Sequence, residues 1–152
     1  MGKNKKIFTI YKFRTMVDNA ETLQHKYQKL NEADGPAFKI RNDPRYTKIG
    51  KILTRTAIDE LPQLINITKG EMAFVGPRPL PVAEARQVPI KYGLRFKVLP
   101  GLTSPWVIKG GHELKFDQWM KLDCEYVKTK NPLLDIYIIL QTVVLLLKSI
   151  LN

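Results

Sequence analysis

The sequence predicts a single α/β (α+β) domain in which several helices surround a small sheet. Three observations carry that expectation. The chain has 152 residues, a one-domain length, and 44% of them are hydrophobic, enough for one core. Apolar positions at helical spacing outweigh alternating or β-branched runs. The few runs that read as strands are short and bounded by proline or glycine. Residues 1–152 contain no repeat, low-complexity tract or linker.

Taken in order, Ile7 to Phe13 mixes alternation with β-branched and aromatic residues and reads as a strand. Asp18 and Asn19 can cap a helix running to about Ala33, where Asp34-Gly35-Pro36 stops it. Thr47 to Thr56 reads as a basic helix with Ile49, Ile52 and Leu53 on one face. A further helix starts at Asp59 and ends near Gly70. Met72 to Val75 is a buried strand, and Gly76-Pro77-Arg78-Pro79 is a stiff loop because two prolines so close forbid regular pairing. Pro81 to Gln87 reads as helix, Leu94 to Leu99 as a strand ended by Pro100-Gly101, and Gly110-Gly111 as a loop. Phe116 to Lys128 places Phe116, Trp119, Met120, Cys124 and Val127 near helical spacing. After Asn131-Pro132 a final helix runs to Leu151. Its uncharged stretch, Ile136 to Leu147, falls short of the roughly 18–20 apolar residues that span a bilayer, so a buried or interfacial helix is expected.

Charge narrows the partners. A net charge of +11 calls for an anion: phosphate, nucleic acid or an acidic lipid surface. The first sixteen residues hold Lys3, Lys5, Lys6, Lys12 and Arg14 and no acid, without the apolar stretch of a signal peptide. No nucleic-acid motif is present, and Trp106 and Trp119 read as core or interface residues, so nucleic acid is not the expected partner. Cys124 is the lone cysteine and reads as core filler; His25 and His112 lack metal-ligand spacing and read as surface residues.

The chemistry concentrates between Asn42 and Pro79. Asp59-Glu60, followed by Pro62, has two readings. In one, Asp59 is an N-cap and the acids merely suit a helix start. In the other, a carboxylate at a phosphate-attracting helix end is a nucleophile toward phosphorus, and its neighbour holds a metal. The second reading needs cations. Lys39, Arg41, Arg45, Lys48, Lys51 and Arg55 face one acid, Asp43, in that stretch, although such runs are usually solvated faces. Arg78 is held between prolines, its fork preorganised for phosphate.

The stretch IDELPQLINITKGEMAFVGPRP resembles the signature of the bacterial sugar transferases of the monotopic phosphoglycosyl transferase superfamily. IFTIYKFRTM, DPRYTKIGKIL and KLDCEYVKTKNPLLDIYIILQTVVLLL extend the likeness over nearly the whole chain. The resemblance implies transfer of a phosphosugar from a UDP-sugar to polyprenyl (undecaprenyl) phosphate, with release of UMP, at the cytoplasmic face of the bacterial inner membrane. It implies Asp59 as nucleophile and Glu60 as its supporting base or magnesium ligand, the two together holding Mg2+. It implies nucleotide recognition by Gln63 with Pro77, Arg78 and Pro79, and a phosphate contact at Arg45. Thr54 stands where the family often has arginine, with Arg55 next to it as a candidate substitute. PGLTSPWVIKGG lacks the second glycine and the Gly-Arg of the family's matching element. The resemblance also implies a hydrophobic re-entrant segment ahead of residue 1, so the chain reads as a truncated catalytic domain. The other reading is an inactive relative that binds nucleotide sugar or membrane without turnover.

Overall fold

A computed structural model describes residues 1–111 and 114–151, which leaves His112 outside; His25 is exposed, as expected. The helices are α1 (Ala20–Leu23), α2 (Lys48–Arg55), α3 (Gln63–Thr68), α4 (Val82–Arg86), α5 (Pro105–Ile108), α6 (Phe116–Thr129) and α7 (Pro132–Leu151), with 3-10 turns at Lys3–Lys5, Gln24–Leu30, Ile58–Glu60 and Ile90–Lys97. The sheet has two parallel strands, β1 (Ala73–Val75) and β2 (Gly101–Thr103), with Ala73 opposite Gly101 and Val75 opposite Thr103. The expected small sheet among helices is therefore the observed fold.

Two expected strands are not strands. Ile7 to Phe13 is extended but joins no ladder. Its backbone partners come from elsewhere: Asn66 of α3 accepts from the Tyr11 N–H (3.1 Å) and donates to the Thr9 carbonyl (2.6 Å), and the Phe13 N–H reaches the Asp59 carbonyl (3.0 Å). A buried amide thus does what a neighbouring strand would do. Leu94 to Leu99 falls mostly in the 3-10 turn Ile90–Lys97, which buries Tyr92, Arg95 and Phe96, and the strand begins where the sequence reading ended one, at Gly101. The reason is close approach. A Cβ at Gly101 would lie 2.1 Å from the Gly76 nitrogen, and one at Gly76 would lie 2.4 Å from the Leu99 carbonyl oxygen. Only glycine lets the second strand sit that near the β1 exit.

Helix expectations fare better, with adjusted ends. The first helix tightens after Leu23 into a 3-10 run that ends at Leu30, short of Ala33. α2 is capped by Thr47, whose hydroxyl accepts from the Gly50 N–H (2.9 Å). It buries Gly50 against Thr15 and leaves Ile49 and Ile52 in solvent, so its apolar face is not a core face. One core cluster joins Leu80, Ala85, Tyr92, Phe96, Trp106, Trp119 and Met120, with Cys124 packed on it; a second joins Val75, Tyr126 and Ile138. Of the two alternatives expected for α7, buried or interfacial, its exposure removes the first. Its 20 residues are long and apolar enough to cross a membrane by length and composition, yet only 6% of its most apolar window is buried inside the chain. It is held by Ile138, fully buried in the second cluster, and by a few polar ties: Thr142 to Thr103, Asp135 to Tyr126, and Ser149 to Arg55.

Candidate active site

The chain leaves α2 through Ala57, a non-glycine residue at φ 56°, and turns at once into the 3-10 segment Ile58–Glu60. Such a left-handed alanine costs about 1–2 kcal/mol and persists only where its surroundings require it. The turn carries Asp59 inward, buried, while Glu60 is nearly so. Asp59 is not a helix cap. Ala57 occupies the N-cap of the 3-10 turn and Pro62 that of α3, and neither end has a side-chain cap hydrogen bond. The capping reading of Asp59 is therefore overturned.

Three cations gather round the acidic pair. Lys12, delivered by the extended N-terminal segment, reaches Glu60 Oε1 at 2.6 Å, and Arg78, from the Pro-Arg-Pro loop, reaches the same oxygen at 3.2 Å. Lys39 lies over the Trp106 ring, 5.5 Å from its centroid, and Arg78 over the same ring at 5.7 Å. The electrostatics separate the two acids. Burial raises the Asp59 carboxyl above its ordinary value; Lys12 opposes this, and the Glu60 charge adds to it. Burial would raise Glu60 too, but Arg78 and Lys12 outweigh it and hold the carboxylate below its ordinary value. Burial, and then the charge of Arg78, pull the Lys39 ammonium down to about 7. Adjacent titratable groups pushed apart in this way are a common feature of sites that divide chemical roles.

The other expected residues are distributed unevenly. Pro77 is buried and its carbonyl accepts from Gly101 (3.1 Å), while Pro79 is half-buried. Gln63 is buried at the first turn of α3, four residues from Asp59. Arg45 is buried in a forked ion pair with Asp43 (2.6 Å) and also donates to the Ala20 carbonyl. Arg55 donates to the Ser149 carbonyl (2.9 Å), which ties α2 to α7. Arg78 is thus the expected cation that meets the acidic pair; Arg45 and Arg55 are engaged in holding elements together. Among the described residues, no three His, Cys, Asp or Glu side chains converge as a metal-ligand group. Asp59 and Glu60 nonetheless form a hard-oxygen pair of the kind that suits magnesium, which is usually held by one or two carboxylates plus substrate phosphates.

Sequence reasoning missed Lys12 and Lys39 as site residues, reading one as a surface cation and the other as part of a basic run. It also missed Arg95 and Asp123. Arg95 donates to Asp123 at 2.9 Å and, with the same terminal nitrogen, to the Arg78 carbonyl at 2.7 Å, a buried support for the loop. A charged residue inside the apolar run LRFKVL was the available signal.

Comparison with known proteins bears on this arrangement. A family model described as bacterial sugar transferase matches residues 1–149. The galactosyl transferase CpsE of Streptococcus agalactiae is 41% identical over 93% of this chain and 32% of its own length. The undecaprenyl-phosphate galactose phosphotransferase of Salmonella typhimurium is 36% identical over 97% of this chain and 32% of its own. The exopolysaccharide production protein ExoY of Sinorhizobium fredii is 34% identical over 94% of this chain and 65% of its own. The chain thus spans between about a third and two thirds of the length of these relatives.

Proposed function

The chain belongs to the bacterial sugar transferase family, and on that premise we propose that it moves a phosphosugar from a UDP-sugar to a polyprenyl phosphate through a covalent intermediate on Asp59. The observation that carries this reading is the environment of Asp59. It is a buried carboxylate with no capping duty, next to a Glu60 held ionised by Lys12 and Arg78. A carboxylate kept from water and flanked by cations can meet a diphosphate that would otherwise repel it.

In the proposed reaction an Asp59 oxygen forms a bond to the β-phosphorus of the UDP-sugar. The bond from that phosphorus to the bridging oxygen breaks, and UMP leaves with the electron pair. A phosphate oxygen of the polyprenyl phosphate then attacks the same phosphorus, and the bond to Asp59 breaks, returning the carboxylate. Arg78 offers a planar fork to the phosphates, its backbone fixed by flanking prolines and by Arg95. Glu60 keeps Lys12 and Arg78 in place and, with Asp59, is the pair that would hold magnesium. Bound there, magnesium would supply charge neutralisation at the diphosphate. The name of the Salmonella typhimurium relative, undecaprenyl-phosphate galactose phosphotransferase, supports a lipid-phosphate acceptor.

We place the reaction at the cytoplasmic face of the inner membrane. The exposed apolar residues of α7, with Ile49 and Ile52 beside Lys48 and Lys51 on α2, support a surface that meets lipid. The deciding experiment is Asp59→Asn, assayed for UMP release with a panel of UDP-sugars, polyprenyl phosphate and magnesium. Because Asp59 caps nothing, the melting temperature should stay near that of the parent, while UMP release should fall by at least about a thousandfold. A well-folded Asp59→Asn protein with near-parent turnover would remove the nucleophile assignment. UDP binding by the parent without UMP release would favour the inactive-relative reading.

A further inference from the structure

We infer that Trp106 is a positioning residue whose ring holds Lys39 and Arg78 together as a two-cation clamp for the donor's diphosphate. The inference rests on the donor reading above and adds which cations take the phosphates and what keeps them side by side.

The geometry begins with the ring. Lys39 Nζ stands 5.5 Å and Arg78 Cζ 5.7 Å from the Trp106 centroid, both within the range at which an indole face attracts a cation. The two cations repel each other, since the charge of Arg78 acts to lower the Lys39 ammonium, yet both are gathered on one aromatic ring. The ring cannot swing away from them: Trp106 is buried and packs on Trp119 at 5.0 Å between centroids, in a tilted stack. Arg78 is held on its other sides as well. Glu60 accepts from its guanidinium at 3.2 Å, and Arg95, itself anchored by Asp123, donates to its carbonyl at 2.7 Å.

The charge balance points to the ligand. With Lys39 protonated, Lys12, Lys39 and Arg78 outnumber Asp59 and Glu60 by one positive charge, and a bound diphosphate would hold on Lys39 the proton it otherwise sheds at about pH 7. A diphosphate would offset that excess. The two cations suit it in different ways: arginine presents a fork to two oxygens of one phosphate, and lysine a compact point charge to the other. Trp106 acts through these cations, so its effect should follow the phosphates of a ligand and leave the nucleoside unaffected.

The test compares UDP with uridine, measured by calorimetric titration of the full chain in one magnesium-containing buffer, with melting temperatures as the control on folding. The parent should prefer UDP strongly. Lys39→Gln should weaken UDP about tenfold and leave uridine unchanged, while Lys39→Arg should recover most of the loss. Trp106→Phe keeps an aromatic ring with a weaker cation attraction and should lower UDP affinity by a smaller factor, again sparing uridine. An unchanged ratio of UDP to uridine affinity in folded Lys39→Gln or Trp106→Phe overturns the clamp. So does a parent that binds the two ligands equally, in which case the nucleotide reading stands and the clamp falls. A parent that binds neither removes the donor reading, and the clamp goes with it.

Discussion

Lys39 is half-buried, and its ammonium loses solvation while facing the charge of Arg78. The result is a lysine that titrates at about 7 when folded, against an ordinary 10.5. The sign of its effect on stability follows. Between those values the unfolded chain holds a proton that the folded chain has released, so raising the pH favours the folded state. Melting temperature is expected to rise from pH 7 to pH 9 by more in the parent than in Lys39→Gln; equal slopes would count against the shifted lysine. Lys39 also explains why the sequence underspecified the site. In the run from Lys39 to Arg55 it is one cation among six, and nothing local separates it from Arg45 or Arg55. What separates them is contact: Trp106 for Lys39, Asp43 for Arg45, and Ser149 for Arg55.

At the scale of elements, α2 and the extended N-terminal segment form the frame that delivers Lys12 and Asp59 to one another. Thr15 accepts from the Thr47 N–H (3.0 Å), and Gly50 lies directly on the Thr15 carbonyl. A Cβ at Gly50 would sit 1.8 Å from that oxygen, a backbone atom that cannot turn aside. Gly50→Ala is therefore expected to cost about 1–3 kcal/mol or more through forced separation of the two elements. The control is Gly93→Ala, where a Cβ meets nothing within 4 Å and stability should stay near that of the parent. Thermal melts of both decide it, and equal melting temperatures would argue against the close approach. Asn66 makes a matching case. Its side chain bonds the Thr9 carbonyl, the Tyr11 N–H and the Glu71 carboxylate while fully buried, so Asn66→Leu should deprive two backbone groups and one carboxylate of that partner and cost roughly 2–5 kcal/mol.

For the whole molecule, the exposed apolar surface is the dominant fact. α7 contributes Ile136, Leu140, Val143 and Leu147, and α2 contributes Ile49 and Ile52, all in solvent. The reciprocal bonds between Arg55 and Ser149 join the C-terminal ends of these two helices. Lys48, Lys51 and the exposed Lys3 and Lys6 supply positive charge that an anionic lipid surface would attract. The chain is expected to float with anionic liposomes at low salt and to bind less as salt rises. Replacing Ile49 and Ile52 with serine should weaken flotation without lowering the melting temperature, since neither side chain is part of the core. No flotation at low salt would contradict the surface assignment.

By itself the sequence determined the helix-rich class, because the spacing of Trp119, Met120 and Cys124 or the Asn131-Pro132 break acts locally. It singled out the acidic pair and Arg78 as candidates, because DELPQL and GPRP are contiguous motifs. It did not determine which cations meet those acids. Lys12, Lys39 and Arg78 are separated by tens of residues and are brought together only when the N-terminal segment, the Pro-Arg-Pro loop and Trp106 pack. It misplaced two strands for the same reason. A strand exists through its partner, and here one partner is a buried amide and the other a glycine contact, neither visible in a local pattern. Only the tertiary structure decided that α2 turns its isoleucines outward, because the contact that sets its orientation is a missing side chain, Gly50 against the Thr15 carbonyl.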